Sequence, residues 1–238
     1  MQSVNHKMMD KIVLVTGANK GIGFGIAKHL GLSGWQVIIG ARDEQRAAKA
    51  VSELTAQGIE VLGWVNIELR DVESIKQAAG EVARRFPRLT LLVNNAGIPG
   101  DMSVDSAHTE VSVIRETLDV NFIGTFALTK ALLPLLQKNG GRIVNITVPS
   151  EVSPYWHPLA YVASKAAQNA MMGVMAIENA VEIFAVHPGP TTTDLNGNMA
   201  LQGFHDTETV GRKFAELIDD GQNHQGEFIE LYPIVKEH

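Results

Sequence analysis

Cysteine is absent from this chain of 238 residues. Its absence excludes disulfide frameworks, thiolate nucleophiles and cysteine-ligated zinc. A surplus of basic residues is also missing, because 20 Lys and Arg stand against 26 Asp and Glu and the net charge is -6. A chain with this balance has no positive field to attract a phosphate backbone, so we expect no nucleic-acid partner.

Long apolar runs are scarce as well. The longest, at about residues 170–177, falls well short of the roughly 18 residues that a membrane span needs. Residues 1–9 lack the apolar segment of a secretory signal, and we expect them to form a flexible leader. Neither H-E-x-x-H nor G-x-S-x-G occurs, so metal-dependent and serine hydrolases lack support. We therefore expect a cytoplasmic protein without membrane contact.

Two alternating patterns are present along the chain. Apolar, β-branched runs predict strands buried on both faces, and the segments between them repeat apolar residues at the spacing of amphipathic helices. The predicted strands cover residues 12–17, 37–42, 59–65, 89–97, 141–147 and 181–189. Strand and helix in alternation predict βαβ units and hence an α/β fold with a Rossmann-type, doubly wound parallel sheet. Because no linker or repeat divides residues 10–238, we expect a single domain.

The first predicted strand leads into the glycine-rich segment TGANKGIG at residues 16–23. Glycines permit a tight turn, and the start of the following helix offers free N–H groups and a positive dipole end to a phosphate. A plain turn between strand and helix is the alternative interpretation. A dinucleotide is expected to contact Gly17, Asn19, Lys20, Gly21, Ile22 and Gly23.

The second predicted strand ends at Arg42 and Asp43, where NAD-preferring Rossmann proteins place an acid on the ribose 2′-hydroxyl. A guanidinium group binds a 2′-phosphate with two hydrogen bonds, and Lys20 adds a second positive charge. This pattern predicts NADPH or NADP+ as the cofactor. Alternatively, Arg42 and Asp43 form a solvated pair; Asp43 is expected to cap the next helix in either case.

A tyrosine and a lysine four residues apart, Tyr161 and Lys165, stand at the start of a predicted long helix. Residues at this spacing share one helix face, so the ammonium group can stabilise the phenolate form of the tyrosine. A tyrosine whose pKa is lowered in this way can serve as a general acid near neutral pH.

Together these motifs resemble the short-chain dehydrogenase/reductase family over about residues 10–235. They are T-G-x-x-x-G-I-G after the first strand, N-N-A-G at 94–97 and Y-x-A-S-K at 161–165. The segments TGANKGIG and GARD are most similar to the NADPH-dependent carbonyl reductase branch. The resemblance implies hydride transfer from the nicotinamide to a ketone or aldehyde carbon, with Tyr161 protonating the oxygen and Lys165 binding the ribose.

The resemblance assigns further residues by their position. Asn121 matches the asparagine that holds a water molecule on the lysine side and completes a proton relay. Asn66 and Ile67 would contact the adenine, and Asn94, Ala96 and Gly97 the adenosine ribose. The nicotinamide carboxamide would be held by Pro188, Gly189, Thr191 and Thr193.

One family residue is missing, because the serine expected thirteen positions before Tyr161 is Val148. Valine cannot donate a hydrogen bond to the substrate oxygen. Ser150 is the first candidate to replace it, and Thr147 is the second if the strand register slips by one residue. Without a replacement, a non-catalytic NADPH-binding sensor or scaffold is the alternative. A 3-oxoacyl-thioester reductase would need a basic surface for its carrier protein, and no basic cluster is evident.

An apolar or aromatic carbonyl compound is the expected substrate. The residues expected to line its pocket are Pro99, Met102, Tyr155, Trp156, Met199, Leu201 and Phe204, several of them in an irregular stretch from Pro188 to about Thr207. Family members pair through two long helices, which are predicted here near 112–138 and 162–178. We therefore expect a homodimer or homotetramer.

Overall fold

The computed structural model describes residues 11–152 and 158–232; the expected leader lies outside these ranges. Within them, seven parallel strands form one sheet in the order β3-β2-β1-β4-β5-β6-β7. The strands are β1 Ile12–Thr16, β2 Gln36–Ala41, β3 Val61–Asn66, β4 Leu91–Asn94, β5 Arg142–Ile146, β6 Glu182–His187 and β7 Phe228–Glu230. The strand order reverses between β1 and β4, which opens a crevice at their carboxyl ends.

Helices cover both faces of this sheet. They are α1 Gly21–Leu32, α2 Glu44–Ala56, α3 Val72–Arg85, α4 Val111–Leu118, α5 Thr125–Asn139, α6 Leu159–Glu178 and α7 Thr207–Ile218. Helices α1, α2 and α7 pack on one face, whereas α3, α5 and α6 pack on the other. The predicted fold class, a doubly wound Rossmann-type α/β sheet, is therefore confirmed.

The strands are continuously apolar because each is buried from two sides. Ile12 and Leu14 of β1 join the core under α3, α5 and α6, while Val13 and Val15 join the core under α1, α2 and α7. Successive side chains of a strand point to opposite faces, so every position must be apolar. Strand β7 was not predicted, because its three residues are mostly exposed and carry no such run.

The helix starts follow from local capping. Asp43 precedes α2 and accepts a hydrogen bond from the backbone N–H of Arg46 at 2.9 Å. This carboxylate satisfies one of the free donors at the helix end. The capping role predicted for Asp43 is confirmed.

The first predicted long helix is a continuous stretch, Val111–Asn139, in which a π-helical turn, Asp119–Gly124, joins α4 to α5. By length and composition alone it could cross a membrane, with an 18-residue window of mean hydropathy 1.3. Core helices of soluble proteins pass the same test. Here Leu128, Leu132 and Leu136 are buried in the core beside α3.

The loop between β6 and α7, residues 188–206, is the predicted irregular stretch. Its two ends are tied together, because the backbone N–H of Thr192 donates to the carbonyl of His205 and that of His205 to the carbonyl of Pro190. A short 3₁₀ turn, Asp194–Asn196, lies at its centre. The loop is thus anchored at its base above the carboxyl edge of the sheet.

Candidate active site

A cavity of roughly 610 Å³ lies at the carboxyl edge of the central strands. Its walls come from the segments that follow β1, β2, β3 and β4, from the start of α6 and from the β6–α7 loop. This is the edge at which doubly wound sheets bind ligands, and the volume falls within the range of cofactor sites.

The loop after β1 forms one wall of the cavity. Gly17 and Gly21 have φ values of 67° and 60°, in the left-handed region that glycine adopts without steric cost. A β-carbon built on Gly21 would meet no atom within 4 Å, so the backbone is open here. Helix α1 begins at Gly21 without a side-chain cap on its first-turn N–H groups. These groups and the helix dipole fit a pyrophosphate.

Positive charge gathers at one end of the cavity. Lys20, Arg42 and Arg46 line it, and their side chains are 55%, 59% and 63% exposed. Each has a carboxylate partner, and the closest pair joins Lys20 Nζ to Asp194 at 2.8 Å. Exposed pairs of this kind are weak, so a phosphate can compete for the cations. Sequence analysis missed Arg46, although its position in the first turn of α2, close behind Arg42, was a signal.

The tyrosine and lysine predicted to transfer the proton lie at the other end, on α6. Tyr161 and Lys165 both line the cavity and are only 8% and 3% exposed. Lys165 Nζ lies 5.8 Å from the centre of the Tyr161 ring. It donates hydrogen bonds to the carbonyl of Ile146 at 2.7 Å and to Gln168 Oε1 at 2.9 Å.

Burial has the largest effect on the pKa values of Tyr161 and Lys165. It lowers the pKa of Lys165 to about 7 and raises the pKa of Tyr161 above its ordinary value. The expected lowering of the Tyr161 pKa by the ammonium group is therefore outweighed in this arrangement. Burial therefore disfavours the charged form of both side chains.

Asn121 occupies the π-helical turn and is fully buried. Its Oδ1 accepts a hydrogen bond from the N–H of Ile98 at 2.8 Å, and its Nδ2 donates to Ser164 Oγ at 2.9 Å. The side chain thus ties the segment after β4 to the catalytic helix and does not itself line the cavity. A water relay through Asn121 stays a prediction.

Neither candidate for the missing serine reaches the cavity wall. Thr147 Oγ1 donates to Asn169 Oδ1 at 2.7 Å, and Ser150 Oγ accepts from Asn169 Nδ2 at 3.1 Å. Asn169 lies two turns beyond Tyr161 on α6, about 12 Å further along the helix axis. The structure therefore does not bring Ser150 to Tyr161, because the amide of Asn169 provides a donor and an acceptor that hold both hydroxyl groups.

The family model described as short chain dehydrogenase matches residues 11–202. The chain belongs to the short-chain dehydrogenase family. It is 31% identical to mouse estradiol 17-beta-dehydrogenase 2 over 233 residues, which cover 95% of this chain and 60% of that protein. It is 33% identical to bovine L-fucose dehydrogenase over 203 residues, covering 84% and 73% of the two chains. The chain spans only 50% and 60% of the two estradiol dehydrogenases, from rat and mouse, that it matches.

Solved structures of the same family share the architecture. The alcohol dehydrogenase of Thermococcus sibiricus, complexed with 5-hydroxy-NADP, has a TM-score of 0.85 and 27% identity, with 96% and 98% of the two chains covered. The NADPH-bound carbonyl reductase from chicken fatty liver has a TM-score of 0.82 and 28% identity, with 93% and 96% covered. The family expected from the motifs is confirmed.

Most residues predicted to bind the cofactor of this short-chain dehydrogenase do line the cavity. They are Gly17, Asn19, Lys20, Gly21, Ile22, Arg42, Ile67, Ala96, Gly97, Tyr161, Lys165, Pro188 and Thr193. Gly23 instead allows close packing, because a β-carbon there would lie 2.4 Å from Asn95 Nδ2. Asn66 is exposed and Gly189 packs against Tyr232, and neither is part of the wall.

Two polar positions are offset by one residue from the prediction. Asn94 is buried and donates to Thr129 and Asn145, whereas its neighbour Asn95 lines the cavity. Thr191 donates to the carbonyl of Gly189, whereas Thr192 lines the cavity. In both cases the predicted residue is buried and its side chain binds the protein, and the next residue lines the cavity. The Nδ2 of Asn95 also donates to the carbonyl of Thr16 at 2.9 Å.

The expected substrate residues are only partly brought together. Pro99 lines the cavity, and Met102 lines an adjoining pocket that shares Pro99 with it. Met199 and Leu201 are exposed and Phe204 is half-buried, all outside the wall. Tyr155 and Trp156 lie outside the described residues.

Proposed function

We propose that this short-chain dehydrogenase is an NADPH-dependent carbonyl reductase that converts a ketone or aldehyde to an alcohol. One observation carries the proposal: a single cavity has a buried tyrosine and lysine at one end and three cationic side chains at the other. Bound NADPH supplies the hydride. The solved relatives that hold NADP or NADPH support this choice of cofactor.

The chain offers a binding group for each charged part of the cofactor. The free first-turn N–H groups of α1 suit the pyrophosphate, and Lys20, Arg42 and Arg46 suit the 2′-phosphate. Lys165, with two of its three N–H groups held by the protein, has one left for a ribose hydroxyl. With the binding groups assigned in this way, the nicotinamide end of the cofactor would lie beside Tyr161.

Tyr161 donates its hydroxyl proton to the carbonyl oxygen as the carbon is reduced. The product is an alcohol, and the phenolate left behind is stabilised by the ammonium group of Lys165. The burial of both side chains keeps water away from the developing charge, which strengthens this electrostatic stabilisation. Position 148 carries a valine where the family has a serine, so it offers no hydrogen-bond donor to the substrate. Tyr161 is therefore the principal group that binds the substrate oxygen.

A pairing of two copies through α5 and α6 fits the same proposal. Phe126 on α5 and Val174 and Ile177 on α6 are apolar and exposed, as is Ile123 in the π-helical turn before α5. Ile177 is 88% exposed. Burial of such a surface favours association. We propose a homodimer or homotetramer, located in the cytoplasm, which size-exclusion chromatography with light scattering and cell fractionation would test.

A second candidate is a sensor or scaffold that binds NADPH without turnover. The observation that favours it is that Asn169 binds the hydroxyl groups of Thr147 and Ser150, so neither of these two candidates takes the place of the missing serine. Removing one preorganised donor costs other enzymes about 10²- to 10³-fold in rate. Slow turnover and no turnover are therefore the two outcomes that an assay must separate.

The decisive experiment measures NADPH oxidation by the purified protein against aryl ketones, aldehydes, diketones and a 3-oxoacyl thioester. NADH and a Tyr161→Phe variant are run in parallel. We expect turnover with NADPH that falls by about 10²- to 10⁴-fold in the variant, while NADPH binding, followed by fluorescence, persists. A preference for NADH, or a fully active variant, would contradict the proposal, and tight binding without turnover would favour the sensor.

A further inference from the structure

Gln168 is a buried polar side chain that the proposed function does not use. It is only 1% exposed and lies on α6, three residues after Lys165. Its Oε1 accepts a hydrogen bond from Lys165 Nζ at 2.9 Å. Its Nε2, in contrast, has no hydrogen-bond partner among the described residues.

An unpaired amide in the interior is unfavourable. A buried N–H group without a partner loses its bonds to water and gains none in return. A methionine has nearly the same volume and no polar atoms, so it would fill this position without that cost. The benefit of a glutamine at position 168 must therefore come from its side-chain carbonyl, which accepts a hydrogen bond from Lys165.

The ammonium group has three N–H donors, and the protein binds two of them. One donates to the carbonyl of Ile146 at the end of β5 and the other to Gln168. With acceptors on two elements, the long lysine side chain is held in one orientation. The third N–H is left for the cavity, which Lys165 lines.

We propose that Gln168 is a positioning residue that holds the ammonium form of Lys165 against the end of β5 and keeps one of its N–H groups directed to the cavity. The inference rests on the proposed function, because it assigns a role to Lys165 in that reaction. Gln168 itself does not line the cavity, so it acts through the lysine.

Because Lys165 is buried, its hydrogen bond to Gln168 affects the pKa of the lysine. Burial lowers the pKa of Lys165 to about 7, and an acceptor on the charged form opposes that shift. The Tyr161 ring, on the same helix, has its centre 5.8 Å from Lys165 Nζ. His187 lies at the end of β6, where its Nδ1 is 3.2 Å from the carbonyl of Thr147. Burial lowers the pKa of His187, which disfavours its charged form.

Charged residues on the elements packed against α6 do not face Lys165. The charged residues on α4 and the π-helical turn are exposed to solvent. The charged residues on β5 and β6 pair with each other at the first residue of each strand, whereas Lys165 binds the carbonyl at the last residue of β5. They are Arg115, Glu116 and Asp119 in the first group, and Arg142 and Glu182 in the second. The hydrogen bonds that Lys165 donates to Ile146 and Gln168 thus dominate the polar environment of the ammonium group in the described part of the chain.

The test compares Gln168→Met and Gln168→Glu with a control, Gln137→Met, which changes an exposed helical glutamine on α5. The readout is the pH dependence of kcat/KM for the carbonyl substrate at saturating NADPH. We expect the alkaline limb to move down by about one pH unit in Gln168→Met, because the ammonium loses an acceptor. It should move up by about one unit in Gln168→Glu, because a carboxylate stabilises the ammonium, and stay in place in the control.

A purely structural role would change kcat uniformly without moving the limb, and that result would overturn the proposal. Melting temperatures of the three variants show whether each is folded. If the wild type shows no turnover, the proposed function fails, but NMR titration of the Lys165 side chain in lysine-labelled protein still tests the inference. Its signal is assigned with Lys165→Met, and equal titration midpoints in wild type and Gln168→Met would refute the positioning role.

Discussion

The two ends of the cavity each carry a lysine, and the surroundings of the two differ. The side chain of Lys20 is 55% exposed, and its Nζ pairs with the carboxylate of Asp194. Lys165 is 3% exposed, and its Nζ is held by two neutral oxygens, those of Ile146 and Gln168. One ammonium group is therefore solvated and paired with an anion, whereas the other is dry and bound to dipoles.

The difference shows how one functional group serves two tasks. In water the ammonium of Lys20 interacts weakly with any single partner, so it adds selectivity for a phosphate at little cost to stability. In the interior, burial moves the pKa of Lys165 to about 7, which makes its protonation responsive to small changes in its contacts. The exposed end is suited to binding, and the buried end is suited to proton transfer.

Replacing each lysine by methionine should separate these tasks. Lys165→Met is expected to lower kcat by about 10³-fold, because the phenolate of Tyr161 loses its counter-charge. Lys20→Met should raise the KM for NADPH by about threefold and leave kcat unchanged, since it removes only an exposed contact. Steady-state kinetics of the two variants with one substrate measures both effects, and equal losses of kcat would contradict the division.

The pH dependence of the reaction should distinguish the two ends in the wild-type protein. Above the pKa of about 7, the charged fraction of Lys165 falls, so kcat/KM for carbonyl reduction should fall about tenfold per pH unit between pH 8 and 9. The guanidinium groups of Arg42 and Arg46 stay charged, and NADPH binding should change little. Parallel kinetic and fluorescence titrations test this, and a rate that is constant over the range would exclude Lys165 as the titrating group.

Arg42→Ala is expected to act only at the exposed end. Loss of charge-assisted hydrogen bonds to the 2′-phosphate should raise the KM for NADPH by about tenfold or more, while the KM for NADH stays within about twofold. Arg84→Ala, which removes an exposed arginine near the end of α3, is the matched control. Equal losses with both cofactors would show that Arg42 does not read the 2′-phosphate.

A small effect is expected for Asp194→Asn. A hydrogen bond from Lys20 holds the pKa of Asp194 below its ordinary value, so the carboxylate is ionised and competes with the phosphate for that lysine. Removing its charge should tighten NADPH binding by about two- to fivefold and leave NADH binding unchanged. Weaker binding of both cofactors, measured by isothermal titration calorimetry, would indicate that Asp194 supports the loop instead.

Local patterns predicted the fold and half of the residues that line the cavity. Buried strands need apolar side chains on both faces, and turns at a phosphate need glycine, so β1, the TGANKGIG loop and the Tyr161–Lys165 spacing are visible without coordinates. Strand β7 is not, because it is short, exposed and stabilised by pairing with β6. The sequence also does not show which of Asn94 and Asn95 lines the cavity. That depends on Thr129 and Asn145, which are distant in the chain and bind the side chain of Asn94.

The amino-acid sequence by itself determined the order of the main strands and helices, the glycine loop and the place of the Tyr161–Lys165 pair, because these follow from periodicity and residue type. Only the tertiary structure decided what Asn169 and Gln168 contact. It turned Thr147 and Ser150 away from the cavity and bound Lys165 to the end of β5. The partners of a polar side chain come from segments distant in the chain, and burial then makes those few hydrogen bonds decisive.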